Sequence, residues 1–274
     1  MADYQSDIKT HMEQYKIERL GVTQNGVWKK NGKEYPHILP EALLKLNILE
    51  TYRREFWKYF DRLNPKIGLH HDFHHLNSSQ AMCFNLFFPL VNDNQQDIPC
   101  LPTALGFSDG AIETTAFEFV PDPIESTNFD FFIRFRSQRR VYFELKLSEG
   151  NFGSAQNDKH HKDKFEGIYK RKVADRFLPE YCDADHFLQN YQVMRNVWHI
   201  DFTTRDLLFF ILPRRNALLE QPAKLIHACL LESCRDQVRV VYLEDLISEI
   251  EKNVAGGHDR LTTHFALFRE KYLL

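Results

Sequence analysis

Two short segments constrain this chain more than any others: Phe129-Asp130-Phe131-Phe132-Ile133-Arg134-Phe135 and Val141-Tyr142-Phe143-Glu144-Leu145-Lys146-Leu147. Successive side chains of a β-strand point to opposite faces of the sheet. In the first segment Phe129, Phe131, Ile133 and Phe135 therefore share one face, and Asp130 lies on the other with Phe132 and Arg134. In the second, Val141, Phe143, Leu145 and Leu147 oppose Tyr142, Glu144 and Lys146. The short polar link from Arg136 to Arg140 predicts a hairpin. Such a pairing sends both apolar faces into one core and puts Asp130, Glu144 and Lys146 on the same side. Phe117-Glu118-Phe119 repeats the device upstream, with Glu118 opposite two phenylalanines.

Carboxylates on neighbouring strands suit a hard divalent cation. Mg²⁺ prefers oxygen ligands and keeps several waters, so a few carboxylates and a substrate phosphate suffice to hold it. Such an ion polarises a scissile phosphate and generates a nucleophile from bound water. A lysine two residues beyond the acid reaches the same face and can neutralise charge building on the phosphoryl group. The bland alternative is an amphipathic hairpin that shows Asp, Glu and Lys to solvent, and E-x-K alone is a weak signal. Context favours the site: the strand is very hydrophobic, an Asp lies one hairpin strand earlier, and a glycine-containing turn with helices follows.

With these residues the sequence resembles the PD-(D/E)XK nuclease superfamily, matched at Asp130 and at Glu144-Leu145-Lys146. The proline of the motif is absent, since Phe129 precedes Asp130. More narrowly, the chain resembles a bacterial restriction-endonuclease-like family. That likeness rests on Ser78-Ser79-Gln80 with Asn85, Thr127-x-x-Asp130, Glu149-x-x-Phe152-Gly153 and Tyr191-Gln192-x-x-Arg195-Asn196, over roughly residues 74–245. The resemblance implies an α/β fold with a restriction-endonuclease-like α/β/α core. It implies that Asp130, Glu144 and the Leu145 carbonyl are metal ligands, that Lys146 is the catalytic lysine, and that Glu118 is an extra acid for the metal or its water. Gln80, Gln192 and Arg195 become candidates for substrate phosphate; Gln192 and Asn196, four apart, share a helix face. The implied activity is Mg²⁺-dependent hydrolysis of DNA phosphodiesters, with Mn²⁺ substituting and RNA left open, in bacterial defence or DNA processing. A non-catalytic nucleic-acid- or protein-binding module of the same fold is the alternative.

The rest of the chain fits a single domain: a helical N-terminal extension over 1–72, a nuclease core over 73–253 and a C-terminal helix over 254–274. Helical spacing predicts helices over 4–19, 40–61 and 77–88, the last stopping before Pro89. Residues 91–110 read as a loop. Beyond the strands 113–120, 128–136 and 140–147, helices are expected over 155–175, 185–199 and 216–233. Buried strands are expected at Leu207–Leu212 and Val238–Leu243, and helices over 244–253 and 260–272. The sum is a mixed sheet with helices on both faces.

His70-His71-Asp72-Phe73-His74-His75 would pair histidines at i, i+4 on a helix, a usable zinc spacing, although a polar loop is the simpler reading. Net charge is −3 at pH 7, so composition does not announce a nucleic-acid binder, yet Arg134, Arg136, Arg139 and Arg140 cluster locally. No apolar run is long enough to span a bilayer. The five scattered cysteines fit reduced thiols and a cytoplasmic location. A homodimer would suit double-strand cleavage, because one such site cuts one strand at a time.

Overall fold

The computed structural model describes residues 3–63, 67–92, 100–254 and 259–274. Two compact units are present. One comprises Met1–Asp109, Pro213–Arg215 and Tyr242–Leu274; the other comprises Gly110–Leu212 and Asn216–Val241. In chain order the first contributes α1 (Tyr4–Glu18), β1 (Gly26–Trp28), β2 (Lys33–Tyr35), a 3-10 turn at Glu41–Asn47, α2 (Arg53–Leu63), α3 (Ser79–Asn92) and α4 (Cys100–Ala104). Next come β3 (Ile112–Phe119), β4 (Phe129–Phe135), β5 (Arg140–Leu145), α5 (Lys159–Lys164), a π turn at Phe165–Tyr169 and α6 (Lys170–Val173). They are followed by α7 (Ala184–Gln189), α8 (Tyr191–His199), β6 (Leu207–Leu212), α9 (Glu220–Ala228) and β7 (Val238–Tyr242). α10 (Leu243–Val254) and α11 (Asp259–Tyr272) close the chain. Among the described residues no helix is long and apolar enough to cross a membrane.

The first unit departs from helical spacing in instructive places. The expected helix over 40–61 is broken, with Ile48 extended at φ −84°, ψ 132°. Buried side-chain amides take over the backbone groups there. The Asn85 side chain accepts from Leu49 N at 2.8 Å and donates to Asn47 O at 3.0 Å. Asn47 itself donates to the carbonyls of Phe73 (2.6 Å) and His75 (2.8 Å). A helix cannot use groups already engaged this way. The helix expected to stop before Pro89 instead runs through it to Asn92. Proline has no N–H for the carbonyl four residues back, that of Asn85. His264 on α11 replaces the missing donor: its Nε2 lies 2.7 Å from Asn85 O, while Nδ1 lies 2.5 Å from the Thr51 hydroxyl. The β1–β2 hairpin was not legible in the residue pattern. α4 lies inside the stretch read as a loop, of which residues 93–99 fall outside the described residues, as do 255–258 near the C-terminal helix.

The second unit carries a five-stranded mixed sheet in the order β3-β4-β5-β6-β7. β3, β4 and β5 form the expected antiparallel meander, and β5 pairs with β6 in parallel. The register sets side chains in transverse rows. Phe117 pairs with Phe131, Phe131 with Phe143, and Phe143 with Phe209. Their rings follow one another at 4.8, 5.7 and 5.5 Å between centroids. On the opposite face Glu144 pairs with Phe210. The expected placing of Phe117 and Phe119 on one face opposite Glu118 does not hold: Phe117 packs on Phe131, whereas Phe119 stacks on Phe132 at 3.9 Å, because the backbone turns at Glu118 with a positive φ of 51°. The helix expected over 155–175 starts only at Lys159, where the Asp158 carboxylate accepts from His161 N, and it contains the π turn. The helix expected over 185–199 is interrupted at Asn190, and the one over 216–233 shortens to α9 between 3-10 turns at Ala217–Leu219 and Glu232–Gln237.

Candidate active site

The pairing of β4 with β5 brings Asp130 near Glu144, and Glu118 on β3 adds a third negative charge near them. Asp130 sits one step from the Phe131–Phe143 pair, across from Glu144, and Glu118 lies between two residues paired to Phe131 and Phe129. Asp130 Oδ2 accepts from Leu145 N at 2.6 Å, which fixes one carboxylate against the backbone bearing the other. Glu144 is 3% exposed and fully gripped. Its Oε1 accepts from Gln192 Nε2 at 2.6 Å and meets Lys146 Nζ at 3.0 Å, and its Oε2 accepts from Asn196 Nδ2 at 3.1 Å. Lys146 Nζ donates in turn to Gln192 Oε1 at 2.9 Å. One glutamine thus bridges the acid and the lysine, its carbonyl oxygen to the cation and its amide to the anion. Gln192 can reach both because α8 begins beside Gly153, whose carbonyl lies 3.4 Å from Gln192 N.

Electrostatics mark the cluster as short of positive charge. Burial, then the negative charges of Glu144 and Glu118, push the Asp130 carboxyl well above its ordinary range, against the pull of Lys146. Burial would lower the Lys146 ammonium, but Glu144, Glu149 and Asp130 outweigh it and hold the group protonated. Glu149 is anchored by Leu147 N, which donates to it at 2.6 Å. Glu118 has a positive φ of 51°, a strained conformation for a strand residue, and its carboxylate accepts from Asn128 Nδ2. Strain of this kind costs about 1–3 kcal/mol and persists where the surroundings over-determine it.

The donor set fits a hard cation. Asp130, Glu144 and the Leu145 carbonyl offer only oxygen donors, and Mg²⁺ would need few of these beside its waters. Glu118 completes no tight trio with the other two acids: the three are not gathered within 4.8 Å of one another.

Not every expected residue converges here. Gln192 does, joined by Asn196, whose Oδ1 is buried without a hydrogen-bond partner. Arg195 points to a different carboxylate: its Nε donates to Glu125 Oε1 at 2.7 Å. Gln80 lies in the first unit, where its amide holds the backbone of Gly68 (3.0 Å) and His70 (2.8 Å). The histidine run is a turn rather than a helix, so the i, i+4 pairings do not form.

This geometry meets an independent finding. A family model described as "Restriction Endonuclease associating with ARP" matches residues 9–273. The chain belongs to this family. No curated protein and no solved structure matches it. The restriction-endonuclease assignment agrees with the mixed sheet of the second unit, and it points to a nuclease, a hydrolase acting on nucleic acid, with DNA the substrate implied.

Residue patterns missed the knot around Glu125, on the segment between β3 and β4. This carboxylate is fully buried. Thr127 N (2.7 Å), Arg195 Nε (2.7 Å), His199 Nε2 (2.6 Å) and the Tyr169 hydroxyl all donate to it. Burial alone would raise its pKa, but the hydrogen bonds from His199, Thr127, Tyr169 and Arg195 hold it well below the ordinary carboxylate range. Tyr169 is presented by the π turn, an insertion that shifts helix phase. Side-chain partners lying 44, 70 and 74 residues away leave no local signal. α8 therefore serves two carboxylates at once: Gln192 and Asn196 hold Glu144, while Arg195 and His199 hold Glu125.

Proposed function

We propose that this restriction-endonuclease family member hydrolyses DNA phosphodiester bonds with Mg²⁺, as an endonuclease of bacterial defence or DNA processing. The observation that carries the reading is the cluster of Asp130, Glu144 and Glu118 with Lys146 beside it, in which burial first and then the charges of Glu144 and Glu118 raise the Asp130 carboxyl. Asp130, Glu144 and the Leu145 carbonyl would hold the ion, with Glu118 acting on its water and Mn²⁺ able to substitute. When bound, the metal supplies Lewis-acid polarisation of the phosphate and lowers the pKa of a coordinated water.

The chain's own groups do the rest. Lys146 Nζ, kept protonated by its carboxylate neighbours, donates to a non-bridging phosphoryl oxygen as negative charge grows there. Gln192 holds that ammonium and Glu144 Oε1 in one fixed relation, and Asn196 prevents Glu144 from turning away. The Leu145 amide holds Asp130 in the same frame. Pre-aligned groups of this kind need no reorganisation as the reaction proceeds. Gln192 is also the substrate-side candidate retained at the site, since Arg195 is paired with Glu125 and Gln80 with the first unit's turn. The family description names association with ARP, and we carry that association to this chain as a proposed partnership, open to test by co-purification.

The test is cleavage of supercoiled and linear DNA by purified protein in Mg²⁺ or Mn²⁺, set against Lys146→Ala and Glu144→Gln. Activity in the wild type and its loss in both variants supports the reading. Equal background nicking by all three refutes it, and DNA binding without cleavage would favour a non-catalytic module.

A further inference from the structure

The first unit carries a second constellation that the nuclease reading does not use. We propose that the exposed turn His70-His71-Asp72 binds a divalent ion of the nitrogen-preferring class, Zn²⁺ foremost. One ligand atom from each of the three residues lies within 4.8 Å of the others, the trio so gathered among the described residues. His71 Nε2 and Asp72 Oδ2 stand 3.1 Å apart. Ligands around a tetrahedral zinc, with bonds of about 2.0–2.2 Å, are separated by about 3.3 Å, so these two atoms are already spaced as neighbouring ligands. The His70 ring is held over the turn by Nδ1, which accepts from Asp72 N at 3.2 Å. Capture of an ion through Nδ1 exchanges that long hydrogen bond for coordination.

What lifts the trio above a chance surface cluster is its support. The backbone of the turn is fixed on both sides by buried amides: Gln80 on His70 N and Gly68 O, and Asn47 on the carbonyls of Phe73 and His75. Phe73, next to the trio, is buried, and its N–H donates to His70 O at 2.9 Å. Behind the turn, Asp72 Oδ1 faces His75 Nε2 at 3.4 Å; both atoms are buried and neither has a hydrogen bond of normal length. An imidazole behind a ligating carboxylate is the supporting contact that orients metal ligands. The His71 side chain, 60% exposed, leaves the site open to solvent. Two imidazoles and one carboxylate favour Zn²⁺ and its neighbours over Mg²⁺, the reverse of the all-oxygen cluster in the other unit.

Untagged full-length protein, freed of metal by chelation, is titrated with Zn²⁺ by calorimetry and with Co²⁺ by visible absorption. Glu144→Gln serves as a background in which the oxygen site is impaired. One equivalent of Zn²⁺ should bind in the wild type and equally in Glu144→Gln. Affinity should fall at least tenfold in His71→Ala and in Asp72→Asn, and the Co²⁺ ligand-field band should disappear with it. His71→Gln, read beside far-UV circular dichroism, covers the case in which a variant misfolds. Absence of stoichiometric Zn²⁺ in the wild type, or binding unchanged in the His71 and Asp72 variants, overturns the proposal. Either result leaves the DNA-cleavage reading untouched, because that reading is judged by Lys146→Ala.

Discussion

Replacing Glu125 by alanine would test how far the acid site depends on a carboxylate outside it. The side chain has no solvent exposure and takes donors from a backbone amide, an arginine, a histidine and a tyrosine. Taken singly, hydrogen bonds to a charged group contribute about 1.5–3 kcal/mol each. Their sum overstates the loss, because Glu125 also gives up its own hydration on folding. Removing one partner of a buried ionic network costs about 3–5 kcal/mol, most of it from charges left unpaired. Arg195, whose side chain keeps 18% of its exposure, can turn partly to water, so we place Glu125→Ala near 4 kcal/mol. Glu125→Gln keeps shape and an acceptor and should lose about half as much, roughly 2 kcal/mol. The pH arm has a definite sign. The folded-state pKa is depressed, so the stabilisation is present above the unfolded carboxylate value and is lost as pH falls below it. The gap between wild type and Glu125→Gln should therefore be full at pH 7 and shrink from about pH 4.5 downward. Urea denaturation followed by circular dichroism measures both. A Glu125→Ala protein within about 1 kcal/mol of wild type, or a gap that does not vary with pH, would refute the reasoning.

Three further outcomes follow from the same geometry. Gln192→Ala should lower kcat for DNA cleavage by about 10²-fold with KM nearly unchanged, since it misaligns Lys146 and Glu144; a rise in KM with kcat unchanged would point to substrate contact instead and count against a positioning role. His37 and His264 are each lowered to about 4, in both cases mainly by burial. The unfolded chain therefore binds the extra proton between about pH 6.5 and 4, and each histidine should remove stability as pH falls through that window, by about 3 kcal/mol at most. His264→Gln should flatten the dependence, and an unchanged slope in urea melts would count against it. In a double-mutant cycle, His264→Leu orphans the Asn85 carbonyl, and Pro89→Ala restores the helical N–H that can reach it. The second change should recover about 1 kcal/mol or more of the first, and strict additivity would show that His264 does not replace the proline's missing donor.

Much of the second unit was written in local pattern. Alternation along 131–135 and 141–145 was legible as the faces that pair across β4 and β5, and the short link Arg136–Arg140 pointed to their antiparallel hairpin, whereas Phe129 turns to the Tyr142 side. Glu144 and Lys146, two residues apart, were therefore legible as neighbours on one face, because strand periodicity is a property of a few consecutive residues, whereas the turn of the backbone at Glu118, with a positive φ of 51°, was not. Gln192 and Asn196 were legible as a pair on a helix, though not that their partner is Glu144, 48 and 52 residues away. Where side chains compete for backbone groups, periodicity misled. Asn47 and Asn85 break a helix that leucine spacing promised, and His264 carries a helix through a proline that should have ended it. The Glu125 knot and the support beneath His70-His71-Asp72 belong to tertiary structure alone. Burying a charge or a carbonyl is settled by which distant donors the fold delivers, and no local residue pattern encodes those donors.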